Sequence, residues 1–298
     1  MFERVLSAAA LAFFLGVSAT AQTHLAIIRG TVSDATGARI ENADITVVDQ
    51  STALARTATT DGRGRFAVSQ LAPGRYRVEA AASGHRRLIR ETTLQVGQQL
   101  QLQLTLEVGA VSEEVVVTGE PTVAFAAHGL STVIDNVQVT SLPLDGRNFL
   151  DLSLLVPGTT TAAQGSAGSV RGAFTLNVNG AREGANAYLL DGAYNVDPKL
   201  NTVAVRPPVD AIEEFRVVTG NYDATYGRHA GAQIHVITKA GSNQFHGTLY
   251  EFFRHDSLNA SNFYAPQDEP DPDYRRNQFG GSLGGPLFED RPVFFVAY

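Results

Sequence analysis

The 298-residue sequence contains no cysteine. That excludes disulfides, thiolate catalysis, Cys-ligated zinc and iron–sulfur clusters. It also contains no run of Lys or Arg, and the formal net charge is −7. A nucleic-acid surface needs a basic stripe, so nucleic acid is not an expected partner. The seven histidines do not fall at H-E-x-x-H or another zinc spacing, so no metal site is expected and no cofactor is implied. Past the first residues no apolar run is long enough for a transmembrane helix. An exported chain without such a helix can still enter a membrane as a β-barrel.

What is present begins with an export pattern. Arg4 gives a weak basic start, Val5–Val17 is apolar, and Ala19-Thr20-Ala21 is an A-x-A cleavage site. Residues 1–21 therefore read as a signal peptide, with Gln22 as the first mature residue. With 44% hydrophobic and 18% charged residues, the remainder is globular in composition, and its length suggests about two domains.

The mature chain reads as strands and turns at short spacing. Ile27–Ser33, Ala43–Asp49, Phe66–Val68 and Arg75–Ala81 are separated by Gly, Asp and Pro turns. Leu100, Leu102, Leu104 and Leu106 alternate with Gln101, Gln103 and Thr105, the pattern of a strand with one apolar face. About seven such strands suggest a small β-sandwich over residues 22–108. Glu113-Glu114-Val115-Val116-Val117-Thr118 then stands alone between Gly109 and Ser112 on one side and Gly119 and Pro121 on the other. Three consecutive Val favour an extended strand. With no pairing neighbour nearby in sequence, its backbone is expected to be open to a strand from another protein.

After Pro121 the character changes. Leu150–Val156 has helical spacing, with Leu152 and Leu155 or Val156 on one face, and Pro157-Gly158 ends it. Val209–Phe215 reads as one helical turn before a strand over Arg216–Thr219, and Ile234–Lys239 as a further strand. Phe245–Arg254, Arg276–Leu287 and Pro292–Tyr298 have about the length of barrel strands. The alternation of the first does not settle its outer face. Tyr250, Phe252, Phe253, Phe294, Phe295 and Tyr298 are candidates for an aromatic girdle.

Three resemblances follow from these residues. Gly30-Thr-Val-Ser-Asp34, Gly37, Ala43, Thr60-Asp-Gly62, Gly64, Phe66, Leu71-Ala-Pro-Gly74 and Tyr76 resemble the carboxypeptidase regulatory-like domain, which implies a transthyretin-like sandwich. Arg171-Gly172, Asp191-Gly192, Tyr226-Gly227, Gly231 and Ile234-His-Val-Ile-Thr238-Lys239 resemble, in order and spacing, the plug domain of TonB-dependent outer-membrane transporters. Leu142-Pro-Leu-Asp-Gly-Arg-Asn-Phe149, Phe245-His-Gly247, Asn277-Gln-Phe-Gly-Gly281 and Gly284-Gly-Pro286 look like the Oar-like subgroup, which places a regulatory-like sandwich ahead of the plug.

The resemblance implies a mostly β chain: a transthyretin-like β-sandwich, then an α+β plug domain, then the first strands of an outer-membrane β-barrel. The implied limits are 22–108 for the sandwich, 109–121 for a linker, 122–241 for the plug and 242–298 for the start of the barrel. Glu113–Thr118 occupies the place of the TonB box. The implied protein is a non-enzymatic receptor and transporter in the Gram-negative outer membrane, with sandwich and TonB box facing the periplasm. Its implied partners are TonB, outer-membrane lipid around the barrel and a scarce extracellular solute. The family's barrel has about twenty-two strands. Three cannot close in lipid, so the sequence is expected to be part of a longer product.

Other readings carry different weight. Gly280-Gly-Ser-Leu-Gly284 matches the G-x-S-x-G hydrolase elbow, but no helix pattern follows Ser282. Asp268–Asp273 reads as a solvated loop without EF-hand spacing. His229 and His235 read as plug surface or turn residues. Arg171, Asp191 and Lys239 are candidates for ion pairs that hold the plug in a polar lumen, or else for turn and strand-end chemistry. A secreted carbohydrate-binding or adhesion module built on the sandwich is the alternative function.

Overall fold

The structure is a computed structural model. It describes residues 25–109, 114–117, 124–125, 130–142, 144–161, 175–199, 201–222, 229–258, 260, 273–288 and 292–298. The signal segment therefore lies outside the described residues.

Seven strands form first: β1 (Ala26–Asp34), β2 (Asp44–Asp49), β3 (Ala55–Thr59), β4 (Arg65–Leu71), β5 (Gly74–Ala81), β6 (Arg87–Leu94) and β7 (Gln99–Leu106). Two short strands follow, β8 (Glu114–Val117) and β9 (Ala124–Phe125). They make two sheets, ordered β4-β1-β7-β9 and β3-β2-β5-β6-β8. The leucines of β7 are all buried and its polar residues all exposed, so one face enters the core as the alternation predicts. Ile28, Val32, Ile45, Val47, Phe66 and Val78 meet them between the sheets. Each such side chain contributes roughly 1.5–3 kcal/mol of burial. Tyr76 belongs to this core, and its hydroxyl donates to the Ala72 carbonyl at 2.9 Å.

The second unit contains β10 (Leu130–Asp135), helix α1 (Asn136–Ser141), β11 (Thr159–Thr161), β12 (Leu176–Val178), β13 (Ala187–Leu190), β14 (Ala193–Tyr194), β15 (Ile212–Gly220) and β16 (Gln233–Thr238). Asp135 starts α1 with a capping box: its carboxylate accepts from the Gln138 N–H, and the Gln138 side chain reaches back to the Asp135 N–H. The five-stranded sheet is ordered β10-β15-β16-β13-β14. Its core holds Phe149, Leu150, Leu152, Val156, Phe215, Val217 and Ile234.

Two sequence expectations change here. Residues Phe149–Leu155 are helical, but as a 3-10 helix, and Val156 rather than Leu155 is buried; Leu155 is 62% exposed. Val156 is the C-cap, in extended conformation beyond the 3-10 turns, and there its side chain enters the core. The helical turn near Val209 is also shorter than expected. It covers Val209–Ala211 only, and β15 begins at Ile212. Antiparallel pairing with both β10 and β16 extends that strand.

The last unit is a meander of β17 (His246–His255), β18 (Arg275–Pro286) and β19 (Val293–Ala297). Its faces are now distinguishable. Leu249 is 93% exposed, whereas the rings of Tyr250 and Phe252 lie under the Arg147 guanidinium, at 4.5 and 4.4 Å from the ring centroids. Tyr250 and Phe252 therefore face the second unit. They are not part of an outward aromatic girdle, because a side chain two positions along a strand returns to the same face.

Candidate functional site

The Val-rich segment forms β8, as its composition predicts, but it is not unpaired. Glu114–Val117 runs parallel to Arg87–Arg90 of β6, with Val115 opposite Leu88 and Val116 opposite Ile89. The correction has a topological cause. The chain crosses from one sheet to the other after β6, which leaves the β6 edge open for a strand of high β propensity. β8 is the end strand of its sheet, so one backbone edge is taken and the other is not paired among the described residues. Glu113 and Thr118 lie outside the described residues.

Arg171, Gly172, Tyr226 and Gly227 also lie outside the described residues. The remaining motif positions occupy two places in the plug-like sheet. Asp191 and Gly192 form a turn with positive φ at both (48° and 78°), which suits the Asp-Gly pair. The Asp191 carboxylate accepts from the Thr238 N–H and from the Thr238 hydroxyl, each at 2.8 Å. This is strand-end chemistry that ties the turn after β13 to the end of β16. Among the described residues neither Asp191 nor Lys239 enters a salt bridge; the Lys239 N–H donates to the Ala211 carbonyl. Gly231 lies where any Cβ would stand 2.5 Å from Asn186 Oδ1 and 2.9 Å from the Ala185 carbonyl. Asn186 needs that approach, because its Oδ1 accepts from the Ala232 N–H while its Nδ2 donates to the Leu176 carbonyl.

His235 is not a surface residue. It lies in β16 at 3% exposure, paired with Arg216 of β15 on the face away from the plug-core residues Ile234 and Val236. His229 contacts Tyr194 across a tilted ring pair. Ser282 sits inside β18, opposite Thr248 of β17, and its hydroxyl bonds that of Thr248 at 2.9 Å. A strand interior is not the strand-to-helix turn that a nucleophile elbow requires.

Two constellations were not visible in the sequence. In the first, Arg147 pairs with Asp210, both largely buried, and covers Tyr250 and Phe252 of β17. A guanidinium can do both at once because its plane stacks while its edge donates. Beside it a cavity of about 650 Å³ opens between α1, the Leu142–Arg147 segment and the inner face of β17 and β18. Arg147, Arg254, Arg276 and Gln278 line its polar side, a wall that suits a polar barrel lumen.

In the second, Glu214 and Arg216 of β15 hold the backbone of Val96, in the turn between β6 and β7. The Val96 N–H donates to Glu214 Oε1 at 2.9 Å and Oε2 at 3.1 Å. Arg216 Nη1 donates to the Val96 carbonyl at 2.6 Å, and Nη2 to Ser131 Oγ at 3.1 Å. Burial pushes the Glu214 carboxyl up to about 7, against the opposing pull of the Val96 N–H and Arg216; Glu213 and Asp135 add to the rise. By alternation Glu214 and Arg216 read as a solvent-facing pair flanking the core residue Phe215, and no local signal shows that another domain covers them.

The comparisons with known proteins follow this layout. Residues 27–107 match the carboxypeptidase regulatory-like domain, residues 126–232 the TonB-dependent receptor plug domain, and residues 237–298 an outer membrane beta barrel domain. The chain is 27% identical over 301 residues to the TonB-dependent transporter Oar of Myxococcus xanthus, a match that covers 95% of this chain. The chain resembles the TonB-dependent transporters in all three matched domains. It spans 27% of the length of the curated relative it matches, and that relative is a transporter rather than an enzyme. The domains are those of an outer-membrane protein. Among solved structures, the siderophore receptor PirA from Acinetobacter baumannii aligns at 24% identity and a TM-score of 0.39, covering 54% of this chain and 22% of the receptor. Catechol 1,2-dioxygenase from Acinetobacter radioresistens aligns at 15% identity and a TM-score of 0.27, covering 35% of this chain and 59% of the enzyme. Neither superposition is close enough to carry an argument.

Proposed function

We propose that this chain acts in TonB-energised uptake of an extracellular solute, with the sandwich and the 113–118 segment on the periplasmic side of the outer membrane. The observation that carries the reading is β8: a Val-rich strand between sandwich and plug with one backbone edge unpaired among the described residues. TonB would add a strand to that edge through main-chain hydrogen bonds, which demand extended geometry and little side-chain specificity. Solute would bind on the outer loops of plug and barrel, and movement of the plug would open the path. No bond is made or broken in this reading. The domain limits it assigns are 22–108, 109–121, 122–241 and 242–298. Phe66 and Tyr76, the aromatics of that domain's motif, both lie in the sandwich core, which removes them from any sugar-binding platform, and no observation favours a secreted binding module.

The test separates backbone from side chain at Val116 in the full-length receptor. Val116→Pro deletes an N–H and fixes φ, whereas Val116→Thr keeps strand propensity. Val116→Pro is expected to abolish energised uptake while surface binding of solute persists, and Val116→Thr to be mild. Uptake by Val116→Pro equal to that of wild type would remove the TonB-box assignment.

A further inference from the structure

β15 has an unusual division of its two faces. Phe215 and Val217 enter the plug core. Glu214 and Arg216, on the opposite face, would ordinarily meet water, yet they are 7% and 9% exposed. What covers them is the β6–β7 turn of the sandwich. The two side chains grip both backbone polar groups of a single residue, the N–H and the carbonyl of Val96. A carboxylate supplies only acceptors and a guanidinium only donors, so the pair matches one peptide unit's donor and acceptor without using the sequence of the turn.

We infer that Glu214 and Arg216 form the plug's docking site for the sandwich, a polar clamp on Val96 that makes the two domains move as one body. Three features support this. The contact is anchored by side-chain hydrogen bonds to the backbone of Val96, a buried residue that belongs to neither domain's hydrophobic cluster. Hydrogen bonds of this kind hold a fixed geometry when closed. Second, β15 lies inside the plug sheet, between β10 and β16, and Arg216 also reaches Ser131 of β10. Any rearrangement of that sheet therefore moves the clamp. Third, a separate contact lies at the β2–β3 turn, at the same end of the sandwich as Val96, where the Asn243 N–H donates to the Ser51 carbonyl at 3.1 Å and its Nδ2 to the Thr52 carbonyl at 2.9 Å. With the clamp broken, the sandwich keeps that contact and is free to pivot about it. The inference does not depend on where TonB binds.

The 298 residues carry no cysteine, so labelling sites can be introduced here, with any cysteine elsewhere in the full-length receptor replaced by serine. Spin labels at Arg56→Cys in β3 and Val137→Cys in α1, both exposed positions, report the sandwich-to-plug distance in the full-length receptor by pulsed electron resonance. Wild type and Glu214→Gln, which keeps an acceptor oxygen, are expected to give one narrow distribution. The Glu214→Ala, Arg216→Ala double variant is expected to broaden it severalfold. Val96→Pro deletes the donor from the sandwich side and leaves every plug residue in place, so it must broaden the distribution as well. That second variant guards against a double variant that broadens only because the plug has lost its fold. A narrow distribution in either the double variant or Val96→Pro would overturn the clamp.

Discussion

The Glu214 carboxyl makes docking of the two domains depend on pH, and the sign can be worked out. An undocked glutamate titrates near 4.5, whereas burial against Val96 raises Glu214 to about 7. Between those values the docked form holds a proton that the undocked form has released. Docking is thus at full strength below 4.5, weakens as pH climbs through that window, and is flat above about 7. The gap sets a ceiling of about 3.4 kcal/mol, or roughly three-hundredfold in the docking equilibrium. Arg216, Glu213 and Asp135 also face this carboxyl, so the appropriate reference is a variant that changes only Glu214.

Hydrogen exchange at the Val96 amide reads this equilibrium residue by residue, because that N–H is freed only when the clamp opens. Expressed as a protection factor, the intrinsic pH dependence of exchange cancels. In wild type the Val96 protection factor is expected to fall by up to about a hundredfold between about pH 5 and about pH 8. In Glu214→Gln, which cannot ionise, it is expected to stay level. The Leu102 amide, in the sandwich core, serves as the internal reference. Equal pH slopes for Val96 in wild type and Glu214→Gln would refute the assignment of the titration to this carboxyl, and a rising slope would refute its sign.

Two other outcomes follow from the packing. The sandwich over residues 22–108 has its own core and is expected to unfold cooperatively alone; including residues 109–121, which bring β8 onto β6, should raise its thermal midpoint by about 5 °C, and an unchanged midpoint would argue against that pairing. Arg147→Ala leaves Asp210 largely buried without its guanidinium and uncovers two rings, so thermal unfolding of the purified protein should show a loss of about 3 kcal/mol, with Arg147→Lys recovering only part because an ammonium lacks the stacking plane.

The sandwich was readable because its evidence is local. The leucine alternation of β7 is a period-two signal that needs no partner to interpret, and the Asp-Gly and Pro-Gly turns fix where strands stop. The plug was readable from ordered pairs such as Asp191-Gly192 and Ile234–Lys239, whose spacing carries the resemblance even though each pair is weak. Helix type was not readable at Phe149–Leu155, since the same apolar spacing serves a 3-10 helix with a different buried residue. The inner face of β17 was not readable either. Tyr250 and Phe252 look like lipid-facing aromatics until Arg147, more than a hundred residues earlier in the chain, is placed over them.

The polar clamp shows why such contacts escape a sequence reading in general. Amphipathic alternation tells which face of a strand is apolar, and it assigns the other face to water by default. β15 keeps the alternation: Phe215 and Val217 go inward, Glu214 and Arg216 outward. What replaces water on the outward face is a peptide unit from another domain, and a peptide unit offers the same donor and acceptor that water does. A charged strand face is therefore compatible equally with solvent and with docked backbone, and only tertiary structure separates the two. β8 and the β15 face share this property. In each, a position that local chemistry assigns to open edge or open water is occupied by main chain, at β6 for one and at Val96 for the other, and both contacts fall on consecutive parts of the same sandwich segment, Arg87–Val96. That segment meets the candidate TonB strand at Arg87–Arg90 and the plug at Val96, which makes it a packed connection between the two.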